Sequence, residues 1–241
     1  MEMQKDAMQY LVSLAKPETY EIGGQSYTSQ PLTRIPNYIP TPERITVTSL
    51  ASIVKLVKAE VRKMNDTLPL FIRVGNPREV SVFSTYGQEY KRHYLYDATC
   101  DVPDFYDGFR PHDKAIIELR SRFSPSEGSD YLLDLLSRIS KESVVSSEDN
   151  GVSQTVEARK GISLKEKVQI RSRVLLRPYR TFLEVEQPGS EFILRLNDNG
   201  DVGLFEADGG AWQLEAKKNV MEYFETALSE LVTSGSVVVM E

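Results

Sequence analysis

Cysteine and histidine are scarce in this chain of 241 residues: Cys100 is the single thiol, and His93 and His112 are the two imidazoles. One cysteine excludes an internal disulfide, and so few sulfur and nitrogen ligands leave no set for a thiolate or imidazole metal cage. Long apolar runs are missing as well. None approaches the roughly 18 residues that a membrane helix needs, and the start Met1-Glu2-Met3-Gln4-Lys5-Asp6 lacks the basic-then-apolar order of a signal peptide. The expectation is a soluble cytoplasmic protein without membrane contact. Catalytic signatures are absent too: there is no GxxxxGK[ST] loop, no GxGxxG after a strand, no GxSxG elbow, no HExxH and no Cys–His pair in a recognisable setting. The residues therefore nominate no catalytic group, no metal ligand and no cofactor, and point away from an enzyme.

What is present is ordinary globular chemistry, with 40% apolar and 27% charged residues, enough for a sizeable core in one large or two modest domains. Ala7, Met8, Leu11, Val12 and Ala15 fall at helical spacing. Tyr20–Ile22 and Gln25–Thr28 flank Gly23-Gly24, a short hairpin signal. Pro31, Pro36, Pro40 and Pro42 then block regular structure and predict an extended connection.

From Thr48 or Ser49 as cap, Leu50, Ile53, Val54, Val57, Val61 and Met64 form a helical stripe. Leu68–Val74, Glu79–Thr85 and Tyr90–Tyr96 predict an antiparallel meander, followed by helices over Pro111–Phe123 and Ser129–Ser140. Composition shifts to Ser, Glu and Asp over Lys141–Asn150, which suggests a boundary between an N-terminal region 1–145 and a C-terminal region 151–241. Beyond it the pattern predicts strands at Ser153–Arg159 and Lys167–Leu176, and a hairpin of Glu191–Leu196 and Val202–Glu206 turned by Asn199-Gly200. A long helix follows from Ala207–Gly210, then an apolar terminal strand, Val237–Met240, paired within the chain or with another subunit. Strands mixed with isolated helices, without strict βαβ alternation, predict an α+β fold with antiparallel or mixed sheets and packed helices in two subdomains.

Charge is distributed unevenly. Between Arg159 and Arg180 eight basic residues face one acid, Glu166, a local +7 in a chain of net −6. Lys167, Arg171, Arg173, Arg177, Tyr179 and Arg180 are the candidate anion-binding residues, because guanidinium forks bind phosphate bidentately and aromatic rings stack on bases. The alternative is that these arginines pair with Glu184, Glu186, Glu191 and the acidic C-terminal helix. A second candidate is the turn Asp208-Gly209-Gly210 with Trp212, where free helix amides could hold an anion; against it, Asp208 puts a carboxylate where the anion would sit and reads as the N-cap, with the glycines making the turn. Asp97, Asp101, Asp104 and Asp107 share one aromatic-rich loop, but their spacing matches no calcium loop. Carboxylates around Cys100 are expected to raise its pKa and blunt it as a nucleophile.

Two segments carry a family resemblance. Arg177-Pro178-Tyr179-Arg180-Thr181-Phe182-Leu183-Glu184-Val185-Glu186-Gln187-Pro188-Gly189-Ser190-Glu191-Phe192 and Gly203-Leu204-Phe205-Glu206-Ala207-Asp208-Gly209-Gly210-Ala211-Trp212 resemble the YfdQ-like family of phage and prophage proteins, a domain of unknown function. Tyr20–Tyr27, the helix from Thr48, Ser121-Arg122-Phe123, Asp130-Tyr131-Leu132-Leu133 and Asp149–Gln154 fit the same resemblance, which covers nearly the whole length. It implies a phage or prophage early-region product in the bacterial cytoplasm and supplies no catalytic residues. The first reading is a non-enzymatic, homo-oligomeric accessory protein that binds a host protein, with an anti-defence role among its uses, or sequesters a small phosphorylated ligand. A second is a single-stranded DNA-binding recombination or replication accessory, against which the acidic pI of 5.2 counts. A third is a metal-dependent hydrolase built on the Asp97–Asp107 loop.

Overall fold

Residues 2–14, 16–22, 25–28, 43–61, 69–86, 91–138, 144–149, 154–160, 164–197 and 199–241 are described by a computed structural model. The chain divides into two compact units, Met1–Thr41 and Pro42–Glu241. The first holds helix α1 (Glu2–Leu14) and a hairpin of β1 (Thr19–Ile22) and β2 (Gln25–Thr28). Its register sets Ile22 opposite Gln25 and Tyr20 opposite Tyr27, as a two-residue connection requires. Gly23-Gly24 and the proline-rich passage 31–42 lie outside the described residues.

The second unit runs through β3 (Ile45–Val47), α2 (Leu50–Glu60), β4 (Leu70–Asn76), β5 (Glu79–Phe83), β6 (Tyr94–Thr99) and β7 (Gly108–Arg110). Helices α3 (His112–Ser121) and α4 (Glu127–Arg138) follow, then β8 (Val144–Asp149), β9 (Gln154–Lys160), β10 (Leu164–Ile170) and β11 (Arg173–Leu176). It closes with β12 (Ser190–Leu196), β13 (Val202–Glu206), α5 (Trp212–Ala227), α6 (Ser229–Thr233) and β14 (Val237–Met240). The fold is α+β. No helix among the described residues is long and apolar enough to cross a membrane.

A five-stranded mixed sheet, ordered β14-β4-β5-β6-β3, carries the first core. Ser49 stands in extended conformation and its hydroxyl accepts from the Ser52 amide at 3.3 Å, which starts α2. Leu50, Ile53 and Val57 then fall on one helical face and meet Leu70, Ile72, Val74, Val80 and Val82, the alternate residues of β4 and β5. Phe182, Val220, Phe224, Leu228 and Val237 complete this core.

The second core lies on a four-stranded antiparallel sheet, β11-β12-β13-β7. Ala115 and Leu119 of α3 and Leu132, Leu135 and Leu136 of α4 pack with Val174, Leu176, Phe192 and Leu194 of the sheet. Gly128, in the first turn of α4, passes so close to β11 that an added Cβ would strike the Leu175 carbonyl. Both cores draw on residues from either side of the Ser/Glu/Asp-rich segment, so the halves 1–145 and 151–241 are interleaved in packing.

That segment also contributes β8, the edge of a three-stranded sheet ordered β10-β9-β8. A ladder of backbone hydrogen bonds needs no apolar side chains, which is why composition reads such a strand as a linker. Gln154 fastens this sheet to the second core. Its buried side-chain amide donates to the Leu196 carbonyl at 2.5 Å and accepts from the Leu196 amide at 2.8 Å.

The terminal run pairs within the chain: β14 lies parallel to β4, with Val237 opposite Leu70 and buried in the first core.

Candidate functional site

Period-two alternation predicts Arg171 and Arg173 on one face of a strand. In the structure β11 begins at Arg173, and Arg171 sits in the bend between β10 and β11. Both nevertheless line one open cleft of about 500 Å³, together with Arg177, Ser124, Ser126 and Glu186. The side chains of Arg171 and Arg173 are each 60% exposed.

Each guanidinium in the cleft has a carboxylate beside it. Arg171 stacks over the Tyr131 ring at 4.5 Å and lies 3.7 Å from Glu127, while its amide donates to the Tyr131 hydroxyl at 3.0 Å. Arg173 pairs with Glu191 across the β11–β12 ladder at 2.8 Å. Arg177 pairs with Glu186 at 2.6 Å and donates to the Gln187 carbonyl at 3.0 Å. Pairs this exposed contribute about 0–1 kcal/mol each, so a phosphate arriving in the cleft can exchange for a carboxylate at small cost. Lys167 stands on β10 opposite Glu157; its side chain lies outside the described residues.

Arg180 occupies a different place. It is 3% exposed, and its guanidinium lies over the ring of Trp212 at 4.7 Å and over those of Phe105 and Phe192 at 5.5 Å each. One Nη donates to the Ser190 hydroxyl at 3.1 Å and to the Glu206 carboxylate. Ser190 in turn donates to Asp208 at 2.8 Å. The backbone of Arg180 is held as well, its amide donating to Gln187 Oε1 at 2.9 Å and its carbonyl accepting from Arg78 Nε at 3.3 Å. A buried charge paired and stacked on every side holds structure rather than meeting solvent anions. Tyr179 is half-buried and bridges to α3, its amide donating to the Arg122 carbonyl at 2.9 Å.

At the start of α5 the turn is built as its residues suggest. Gly209 and Gly210 have φ of 64° and 84°, conformations that favour glycine. The Asp208 carboxylate accepts from the Gly210 amide at 2.9 Å and the Trp212 amide at 3.3 Å. It occupies the amides an external anion would use, although the helix proper begins only at Trp212, behind Ala211. Sequence thus groups Trp212 with the turn, whereas its ring serves the Arg180 stack.

The acidic loop disperses its carboxylates. Asp97 pairs with Arg44, Asp104 with Arg78 at 2.6 Å, and Asp107 accepts the Glu206 amide at 3.0 Å. Among the described residues no three His, Cys, Asp or Glu side chains gather as a metal site would require. His112 is tied to the Leu136 carbonyl at 2.8 Å. Burial pushes the Cys100 thiol up from its ordinary value; Arg78 opposes this and Glu184 and Asp101 add to it. A raised pKa leaves less thiolate at pH 8, so iodoacetamide is expected to alkylate Cys100 about severalfold more slowly than a free cysteine; a rate equal to that of free cysteine would contradict this.

Sequence reasoning missed Ser124 and Ser126 of the α3–α4 connection and Glu127 at the start of α4, which line the cleft. No local pattern ties them to residues more than forty positions away in sequence; only the packing of α4 on β11 does so. Comparison of the chain with protein-family models, with curated proteins and with solved structures finds no match to any of them.

Proposed function

We propose that this protein works by binding rather than by catalysis, as an accessory protein of a phage or prophage that takes a small phosphorylated ligand, free or displayed by a host factor. The observation that carries this reading is the convergence of Arg171, Arg173 and Arg177 on one open cleft that Ser124 and Ser126 also line. Guanidinium forks supply paired donors in the geometry a phosphate accepts. The carboxylates at the rim hold the empty cleft near neutrality and are displaced by a ligand of higher charge density. The phage context rests on the resemblance carried by Arg177–Phe192 and Gly203–Trp212.

Native mass spectrometry of the protein purified from a bacterial host tests this. The expected result is reproducible excess mass in the range of a nucleotide, lost in the double variant Arg171→Ala/Arg173→Ala. A clean apo mass at low ionic strength, with no mass gained on adding millimolar nucleotide, would overturn the phosphate reading.

A further inference from the structure

The helices α2 and α5 cover one face of the five-stranded sheet; its other face carries a row of aromatic rings. Val238 of β14, Phe71 of β4, Phe83 of β5 and Tyr94 of β6 are successive cross-strand partners. The Phe71 and Phe83 rings stack at 5.5 Å with planes 13° apart, and Phe83 meets Tyr94 at 5.3 Å. The next rung starts at Met240 and is polar from there on, running through Arg73, Ser81 and Asp97 to Thr46.

Three guanidinium groups lie against these rings. Arg92 sits 4.5 Å from the Phe71 centroid and 4.4 Å from that of Tyr86. Arg73 approaches Phe83 at 6.0 Å and Arg44 approaches Tyr94 at 5.0 Å. Asp97 pairs with Arg44. Glu79, at the far end of the face, accepts from Asn76 at 2.8 Å. Among the described residues no carboxylate pairs with Arg73 or Arg92, so positive charge remains beside the rings in a protein of net charge −6. Tyr86 is 60% and Tyr94 42% exposed.

We propose that this face binds single-stranded nucleic acid, its bases stacking on Tyr94 and Tyr86 while Arg73 and Arg92 meet the phosphates. Unpaired bases offer a π-face to each ring. A duplex hides its bases and leaves the rings unused. Self-association would set a positive face against its own copy, which like-charge repulsion opposes. The proposal does not rest on the arginine cleft and moves any nucleic-acid contact away from Phe182, which is 1% exposed inside the first core.

The test is fluorescence anisotropy of a labelled oligothymidylate of about 20 nucleotides, long enough for one site, titrated with the full chain. Saturable binding is expected, weakening steeply between about 50 and 200 mM salt as condensed ions compete for the phosphates. Arg73→Glu/Arg92→Glu should weaken it about tenfold or more and flatten the salt dependence. Tyr94→Ala should weaken it about 5- to 100-fold with little change in salt slope. Tyr86→Ala, at a surface position, provides a second ring variant, and circular dichroism melting verifies that each variant folds. Three results would overturn the proposal: no saturable binding at low salt, binding that falls with Arg171→Glu/Arg173→Glu but not with the sheet-face variants, or a dimer by light scattering that Tyr94→Ala dissociates.

Discussion

Replacing Arg180 by alanine is expected to destabilise the protein by about 3–5 kcal/mol, the range for removing one partner of a buried ion pair. Two contributions combine. The Glu206 carboxylate loses its charge partner, and Ser190, which links Arg180 to Asp208, loses its acceptor role toward the guanidinium. In addition, the plane that fills the space between Trp212, Phe105 and Phe192 is removed, leaving a gap where β12, the end of β13 and the start of α5 converge. Arg180→Lys should recover only part of the loss, because an ammonium keeps the charge but supplies neither the fork nor the flat stacking surface. Urea unfolding followed by circular dichroism measures both variants. A loss below about 1 kcal/mol in Arg180→Ala, the value of an exposed pair, would mean that Arg180 is solvated and open to external anions.

Deletion of Ser236–Glu241 is expected to abolish stable folding rather than merely alter assembly. β14 is hydrogen-bonded to β4 along four register positions and delivers Val237 into the core among Leu70 and Leu228. Losing a buried valine costs about 1.5–3 kcal/mol, and each net hydrogen bond about 0.5–1.5 kcal/mol. Together these approach the roughly 5–15 kcal/mol by which a domain is stable. The deletion also exposes the apolar β4 as a sheet edge, an aggregation hazard. Thermal melting and size-exclusion chromatography of the truncated chain check this. A folded truncated chain with an unchanged melting temperature would show that β14 is dispensable to the core.

The strand β9 and the helix α2 were legible because periodicity is a local property: Leu50, Ile53 and Val57 mark a buried helical face, and Asn199-Gly200 marks a tight turn, whatever the rest of the chain does; the single strand expected over Lys167–Leu176 is instead two, β10 (Leu164–Ile170) and β11 (Arg173–Leu176). The strand β8 was not legible, since its Ser-, Glu- and Asp-rich composition reads as a linker and its existence depends on a partner, β9. At the cleft, sequence supplied Arg171, Arg173 and Arg177 by composition, yet it could not separate them from Arg180, nine residues beyond Arg171 in the same basic run. Burial divides them: Arg180 turns inward onto Trp212, more than thirty residues later, while the others face the α3–α4 connection.

The sequence by itself determined the α+β class, a helix start at Thr48 or Ser49, the turns at Asp208–Gly210 and Gly200, the uneven charge and the absence of familiar catalytic motifs, because each follows from neighbours along the chain. Only the tertiary structure decided that β14 joins β4 in parallel, that both cores interleave the two halves of the chain, and that Phe71, Phe83 and Tyr94 form one rung under arginines from three different segments. Those features depend on strand order and register, which are set by how apolar faces from distant segments find one another and close a common core.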